Sequence, residues 1–367
     1  MPRFGDPGNT QKIIGMIPQV ILEEGPYRII RHEGIPEEAL AFLDEIAWGS
    51  EGAVYENKNT KEHSRHIHSP ILMAIHSEDH ILATSVFCHT KVGIAGSDLN
   101  CFYVRYFASS PKIRGQGLIK KYGIRVMELV REGVHEPTVF FACVERGNKP
   151  SFKTVQSAGY QHAWTATTNG FSRFFPRSMK GVEQVTTPTQ RDEVLALLGT
   201  QYRDHALVQF DSIFLHDQYY VLRIKGQIVA GLQYHRAHWV VNRMSGWSGK
   251  FLLKILPQIP LLNRIFNPNK FQFLALEGIY IRPGFEKEWG RLVEDVLLKT
   301  DMRSAMYWMG ATCPIRERIQ GAVNSGLLHP FVKDSDVYVM ASFHDVDKGK
   351  MQQIQNLPLY ASGFDYV

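Results

Sequence analysis

Short apolar runs rich in Val, Ile, Phe and Tyr recur along the chain at 27–32, 71–76, 81–89, 101–107 and 139–144, and their length and composition predict strands. The run 139–144, VFFACV, is apolar throughout and predicts a strand covered on both faces. Helical periodicity marks 36–48, which opens on Pro36 with acids in its first turn. It also marks 118–131, which stops at Gly133, and the shorter 151–157. Residues after Tyr160 read as closing strands. Strands and helices interleave in this order as a mixed α/β sheet with helices on both faces, an α+β fold.

The order then repeats. Residues 174–182, FFPRSMKGV, read as a linker. Beyond it come a strand at 182–185, a helix at 189–201, and a hairpin of 219–224 and 228–235 turning on Lys225-Gly226. A long strand at 271–281, a helix at 289–298, a strand at 306–311, a helix at 315–325 and a last strand at 337–343 complete it. The second half has the plan of the first without its residues, so the chain divides into a leader 1–26, a domain 27–175, a second domain 182–343 and a tail 344–367. The tail ends YASGFDYV, aromatic enough to dock on the body.

Composition narrows the class. At 367 residues, 44% hydrophobic and 21% charged, the chain is globular and long enough for two domains. With 41 Lys and Arg against 36 Asp and Glu, the net charge is +5, and no run of five like charges occurs, which argues against nucleic acid as partner. The four cysteines, Cys88, Cys101, Cys143 and Cys313, match no zinc or CxxC spacing and suit a reducing cytoplasm. The N-terminus lacks a secretory h-region. The greasiest stretch, 251–266, is too short to span a bilayer and carries Lys254, Pro257, Pro260 and Arg264, so no integral membrane segment is expected. It reads as an insertion between strands serving as a lid, a homodimer contact or a membrane-surface contact.

The chemistry concentrates in 103–130, where a strand enters the loop Arg114-Gly115-Gln116-Gly117 and leaves directly into a helix. Glycines let the backbone curl so that successive N–H groups face a ligand, and the helix N-terminus adds positive potential suited to a pyrophosphate. Lys112, Lys120 and Lys121 add cations nearby. The competing reading is a strand–helix turn with a solvated basic rim. A Walker loop is excluded because no Gly-Lys-Ser/Thr follows, and the third glycine of a Rossmann turn is absent.

Residues 110–119, SPKIRGQGLI, resemble the acyl-CoA loop of the GNAT superfamily of N-acetyltransferases. Residues 148–160, NKPSFKTVQSAGY, are similar to its second signature, in which an Asn opens a short helix ending in Gly-Tyr. The resemblance covers roughly 27–175 and implies two tandem acyl-CoA N-acyltransferase-like domains, the second degenerate. It implies that acetyl-CoA, or another acyl-CoA, is held by Phe107, Ala108, Arg114, Gly115, Gln116, Gly117, Leu118, Ile119, Asn148 and Ser151, with no metal. Two departures stand out: Ile119 replaces the loop's last small residue, and Val155 stands where many members carry a Tyr that protonates the leaving thiolate.

Tyr103 is the catalytic candidate, able to relay the amine's proton through water or simply to pack with a satisfied hydroxyl. Asn148 can bind the pantetheine arm, cap its helix, or do both. His63, His66 and His68 lack acidic or Cys partners at a metal spacing and read as a polar loop or acceptor-pocket lip. In the second half Glu286 and Trp289 replace the Arg and a Gly of the loop, so that half is not expected to bind CoA. The expected reaction is acyl transfer from the thioester to a primary amine, a small molecule rather than a protein. The alternatives are a non-catalytic acyl-CoA-binding or assembly module and, more distantly, aminoacyl transfer from tRNA.

Overall fold

The computed structural model describes residues 18–49, 52–113, 115–332 and 335–366. The first half contains β1 (Gln19–Glu24), β2 (Tyr27–Glu33), α1 (Glu37–Asp44), β3 (Trp48–Gly49), β4 (Ala53–Asn57), α2 (Thr60–Ser64), β5 (Pro70–Ser77), β6 (His80–Ile94), β7 (Ser97–Ser109), α3 (Leu118–Glu132), β8 (Thr138–Glu145), α4 (Lys149–Ser157) and β9 (Gln161–Ser172). The second contains β10 (Val182–Gln184), α5 (Pro188–Gln201), β11 (Tyr219–Ile224), β12 (Gln227–Met244), α6 (Gly246–Lys254), α7 (Pro260–Asn263), β13 (Phe271–Ile281), α8 (Glu286–Lys299), β14 (Ser304–Gly310), α9 (Pro314–Ala322), α10 (His329–Val332), β15 (Asp336–His344) and α11 (Lys348–Gln355). All of these strands belong to one mixed sheet.

The repeat is visible in the pairing. In the first half β5, β6 and β7 form an antiparallel meander, and β7 pairs parallel with β8 through the crossover helix α3. In the second, β11, β12 and β13 do the same, with β13 parallel to β14 through α8. The hairpin expected at Lys225-Gly226 is present, with φ of 50° and 77° at the two turn residues.

The two halves exchange strands. β15 lies between β8 and β9, antiparallel to both, and β9 pairs on its other side with β14. The closing strands expected after Tyr160 therefore number one, and its neighbour comes from the far end of the chain. A ladder of backbone hydrogen bonds is indifferent to sequence separation, so a local pattern cannot reveal this exchange. A second link runs from β4 to the outer part of β12, where Tyr55 stacks on Trp239 at 3.9 Å.

Several boundaries differ from expectation; the hairpin strand expected over 228–235 runs from Gln227 to Met244, and the helix expected over 315–325 spans Pro314–Ala322. The helix expected over 36–48 ends at Asp44, and Trp48–Gly49 turns back as β3. At Gly49 φ is 90° and a Cβ would lie 2.0 Å from Ala53 O, so the chain leaves the helix to make a turn only glycine permits. The stretch read as leader contributes β1, an edge strand on β2. The 251–266 stretch forms α6 and α7, with Leu252, Leu256, Ile265 and Phe266 buried and Ile255, Ile259 and Leu261 exposed. No helix among the described residues is long and apolar enough to cross a membrane.

On one sheet face α3 and α4 cover Phe102, Val104, Phe140 and Ala142; on the other lie Cys101, Tyr103, Val139 and Phe141. The alternation along β7 thus places Tyr103 and Arg105 away from the loop helix. A fragment ending at Arg177 would leave β8 and β9 without the strand between them. We predict that it aggregates or shows no cooperative unfolding transition by circular dichroism in urea; a soluble monomer with a sharp transition would contradict the shared sheet.

Candidate active site

β7 and β8 pair only from Asn100↔Thr138 to Val104↔Ala142. Beyond that point β7 stays on β6 while β8 stays on β15, so the parallel strands part at their carboxyl ends. A bulge sits at the parting: Tyr106 and Phe107 lie between the pairs Val86↔Arg105 and Thr84↔Ala108, opposite Ser85 alone. Tyr106 has φ of 47°, a left-handed conformation costing about 1–3 kcal/mol in a bulky residue. Thr84 Oγ1 holds it by donating to Tyr106 O at 3.0 Å.

α3, which follows β7, and α4, which follows β8, both begin at this mouth. Gly115 and Gly117 have φ of 78° and 75°, and a Cβ on either would meet no atom within 4 Å. No side chain caps α3, so its first-turn N–H groups are left to an acceptor from outside. Gln116 braces the loop, its Nε2 donating to Lys112 O at 2.9 Å. Leu118 and Ile119 pack into the core beneath α3, so the branched side chain of Ile119 turns from the loop. Gly123 of α3 faces the Phe107 ring of β7, at a distance where a Cβ would make an ordinary 3.6 Å contact. Ala108 is buried against Leu43 and Ile46 of the α1 region. Arg114 lies outside the described residues.

At α4 the Asn148 side chain accepts from Ser151 N–H at 3.2 Å, the capping role. Val155 is 3% exposed and packed in the core, so no polar group occupies the place where the resemblance expects a tyrosine. Tyr103 is buried, its ring stacked on Phe141 at 4.4 Å.

The fold gathers a polar cluster that the sequence reading only half anticipated. His63 and His66 meet His216 and His235 of the second half, close to Arg105. The Arg105 guanidinium lies within 5.5 Å of the ring centres of Tyr103, Tyr106 and Phe364 and donates to Phe364 O. His68 is exposed and outside this group. Glu277, on β13, accepts from the hydroxyls of Ser212 and Ser362 and from Phe364 N–H, with His235 Nε2 3.2 Å away. No local motif marks Glu277 or His235; an acid inside an otherwise apolar strand was the only signal.

The second half repeats the bulge but fills it. Gly278 has φ of 55° between the pairs Gly231↔Tyr280 and Gln233↔Glu277, matching Tyr106. The C-terminal tail lies in the opening between β13 and β14. A Cβ on Gly310 would lie 2.7 Å from Leu359 O, and one on Gly363 2.2 Å from Leu276 O. The loop before α8 has its own anion: Glu286 accepts from Gly284 N–H at 3.2 Å and from Arg318 Nε at 2.7 Å. Trp289 is wholly buried against Tyr307.

Burial raises the Glu277 pKa, but the facing His235 and the hydrogen bonds from His235, Ser212 and Ser362 outweigh it and bring it down to about 2. Burial, then the neighbouring His235, Arg105, His66 and His216, lowers His63 from 6.5 to about 3. Both folded values are depressed, so both contributions are present at high pH and lost on acidification. For His63 the loss runs from 6.5 toward 3, and for Glu277 from 4.5 toward 2. We predict that the urea midpoint falls steadily from pH 7 to 4 and that His63→Gln flattens the upper part of the fall. Glu277→Gln should cost about 2–4 kcal/mol at pH 7. A wild-type midpoint constant over that range would contradict the buried neutral imidazole.

No protein-family model matches the sequence, and no curated protein matches it. Solved structures do. Saccharomyces cerevisiae N-myristoyltransferase with bound myristoyl-CoA and inhibitors superposes with a TM-score of 0.58 at 9% identity, covering 93% of this chain and 87% of that one. Another structure of the enzyme with myristoyl-CoA gives 0.53 at 9% identity over 89% and 85%. At this identity the likeness concerns fold alone. The chain has the fold seen in N-myristoyltransferase, a single mixed sheet in which one order of strands and helices is built twice.

Proposed function

We propose that the protein is an N-acyltransferase that moves an acetyl or other short acyl group from an acyl-CoA to a primary amine, most simply of a small molecule. One observation carries this reading: β7 and β8 part beside a strained bulge, where an uncapped glycine loop opens onto α3. The pantetheine arm would lie between the strands like a further strand, its amides facing the freed backbone of β7 and β8. The pyrophosphate would rest on the N–H groups of Gly115 to Ile119, with Asn148 and Ser151 at the opposite lip. Ligands in parallel-strand sheets sit at these carboxyl ends.

The thioester carbonyl would lie against Tyr106 and Phe107, whose N–H groups, turned by the bulge, stabilise the oxyanion. The amine nitrogen forms the C–N bond, the C–S bond breaks and the thiolate departs. Thiolate is a fair leaving group near neutrality, since thiols have pKa values near 8.5, so Val155 need not be an acid. His66, whose pKa is lowered by burial first and by His216 next, stays neutral at pH 7 and can take the amine's proton. Tyr103, stacked on Phe141, serves packing and holds Arg105. Phe42, Leu43, Ile46 and Trp48 crowd the space past Ala108 and Tyr106, which favours a short acyl chain. The second reading, a non-catalytic acyl-CoA module, is favoured by the apolar burial of Val155.

Gly117→Asp tests the cradle. Its Cβ meets nothing and Asp tolerates left-handed backbone, so the fold should survive while the added charge repels pyrophosphate. Calorimetry should show CoA affinity reduced by about 100-fold or more, with Gly117→Asn much less affected. Parental affinity in the Asp variant would refute the assignment. A CoA titration should reach one equivalent per chain, because the tail and Glu286 occupy the corresponding space in the second half. Thiol release from acetyl-CoA over an amine panel separates enzyme from binding module, and myristoyl-CoA in the same assay tests chain length.

A further inference from the structure

Three side chains with metal-binding atoms converge on the first half, apart from the parted strands. His32 lies on β2, His76 on β5 and Glu38 in the first turn of α1, and one ligand atom from each is within 4.8 Å of the other two. The strand register pairs His32 with Leu72 and His76 with Arg28, so both imidazoles occupy one face and lean together across the Ile30↔Ala74 pair. Their ring centres are 6.5 Å apart. Ala74 is small enough to leave the space above it to the rings.

His76 is 5% exposed, and its Nε2, like that of His32, is buried with no hydrogen-bond partner. Buried polar atoms are almost always paired, so two unpaired imidazole nitrogens beside a carboxylate call for an acceptor of their lone pairs. Burial lowers both imidazole pKa values against the pull of Glu38. The neutral imidazole is the form that ligates a metal.

We propose that His32, Glu38 and His76 form a binding site for a zinc-type divalent ion, with water at the fourth position. Two imidazoles and one carboxylate suit a borderline ion in tetrahedral geometry, while Mg²⁺ and Ca²⁺ prefer all-oxygen ligands. Bonds of about 2.0–2.2 Å require the ligand atoms to draw in by roughly an ångström. Glu38 is exposed, at the solvent side of the two histidines. The ion would clip α1 to β2 and β5. Since Leu43 at the far end of α1 and Ile46 just beyond it pack on Ala108 beside Tyr106, the clip steadies the wall of the β7 bulge. Its role is positional, and metal binding there is independent of the acyl-transfer reading.

The test is a Co²⁺ titration of the metal-stripped full-length protein, followed by visible absorption. One equivalent with the intense bands of four-coordinate Co²⁺ is expected, displaced by Zn²⁺ and not by Mg²⁺ or Ca²⁺. Zn²⁺ should raise Tm. Glu38→Gln, at an exposed position, should keep the fold by circular dichroism and weaken Co²⁺ at least tenfold, and His32→Gln and His76→Gln should each weaken it more. Absence of stoichiometric four-coordinate Co²⁺ overturns the site. Affinity and spectrum unchanged in Glu38→Gln also overturn it, because the ion would then sit among the protein's other histidines. If the histidine variants do not fold, Glu38→Gln alone decides.

Discussion

The structure depends on one exchange: β15 seated between β8 and β9, with β9 passing on to β14. β9 and β15 take all their ladder bonds from the opposite half, and β8 and β14 do so along one edge, so neither half can satisfy its own sheet without the other. The junction is polar as well as apolar. Thr168 Oγ1 donates to Ser335 O and accepts from Trp308 Nε1, and Thr167 Oγ1 donates to Met309 O. Such bonds add little net energy individually, but unpaired they would be costly inside a sheet, which fixes the register of the exchange.

The exchange also sets the shape of the opening. Because β15 keeps the end of β8 and β6 keeps the end of β7, the two parallel strands are pulled to different neighbours after Val104 and Ala142. The bulge at Tyr106 consumes the extra residue and turns the backbone toward the gap. The second half has the same parting and the same bulge at Gly278, but its gap is closed by Leu359 to Phe364 and its helix start by Glu286. Duplication of the fold therefore did not duplicate the vacancy.

Glu277 ties these features together. A carboxylate buried in a sheet is costly unless every lone pair is used. Here the partners are two serines, a backbone N–H of the tail and His235. The tail so anchored brings Phe364 over Arg105 and against His63 and His235, placing a second-half segment on the first-half strand that carries Tyr106. His63 stays neutral because it is buried, with the Arg105 guanidinium and further imidazoles beside it.

Much of the plan was legible in the sequence. Apolar runs and helix caps marked most elements, since periodicity and capping act within a few residues. Gly115 and Gly117 announced a tight loop because left-handed backbone strongly favours glycine, and Asn148 announced its helix by side-chain capping. Glu286 announced a carboxylate at the start of the second crossover helix, whereas Trp289 lies in the core against Tyr307. Tyr106 gave no such sign, because its left-handed conformation is imposed by the mismatch of β6 and β7. The meeting of His63 with His235, the convergence of His32, Glu38 and His76, and the path of β15 were likewise invisible. They join residues distant in sequence through ladders and packing, interactions that carry no record in the local order of side chains; only the tertiary structure decides them.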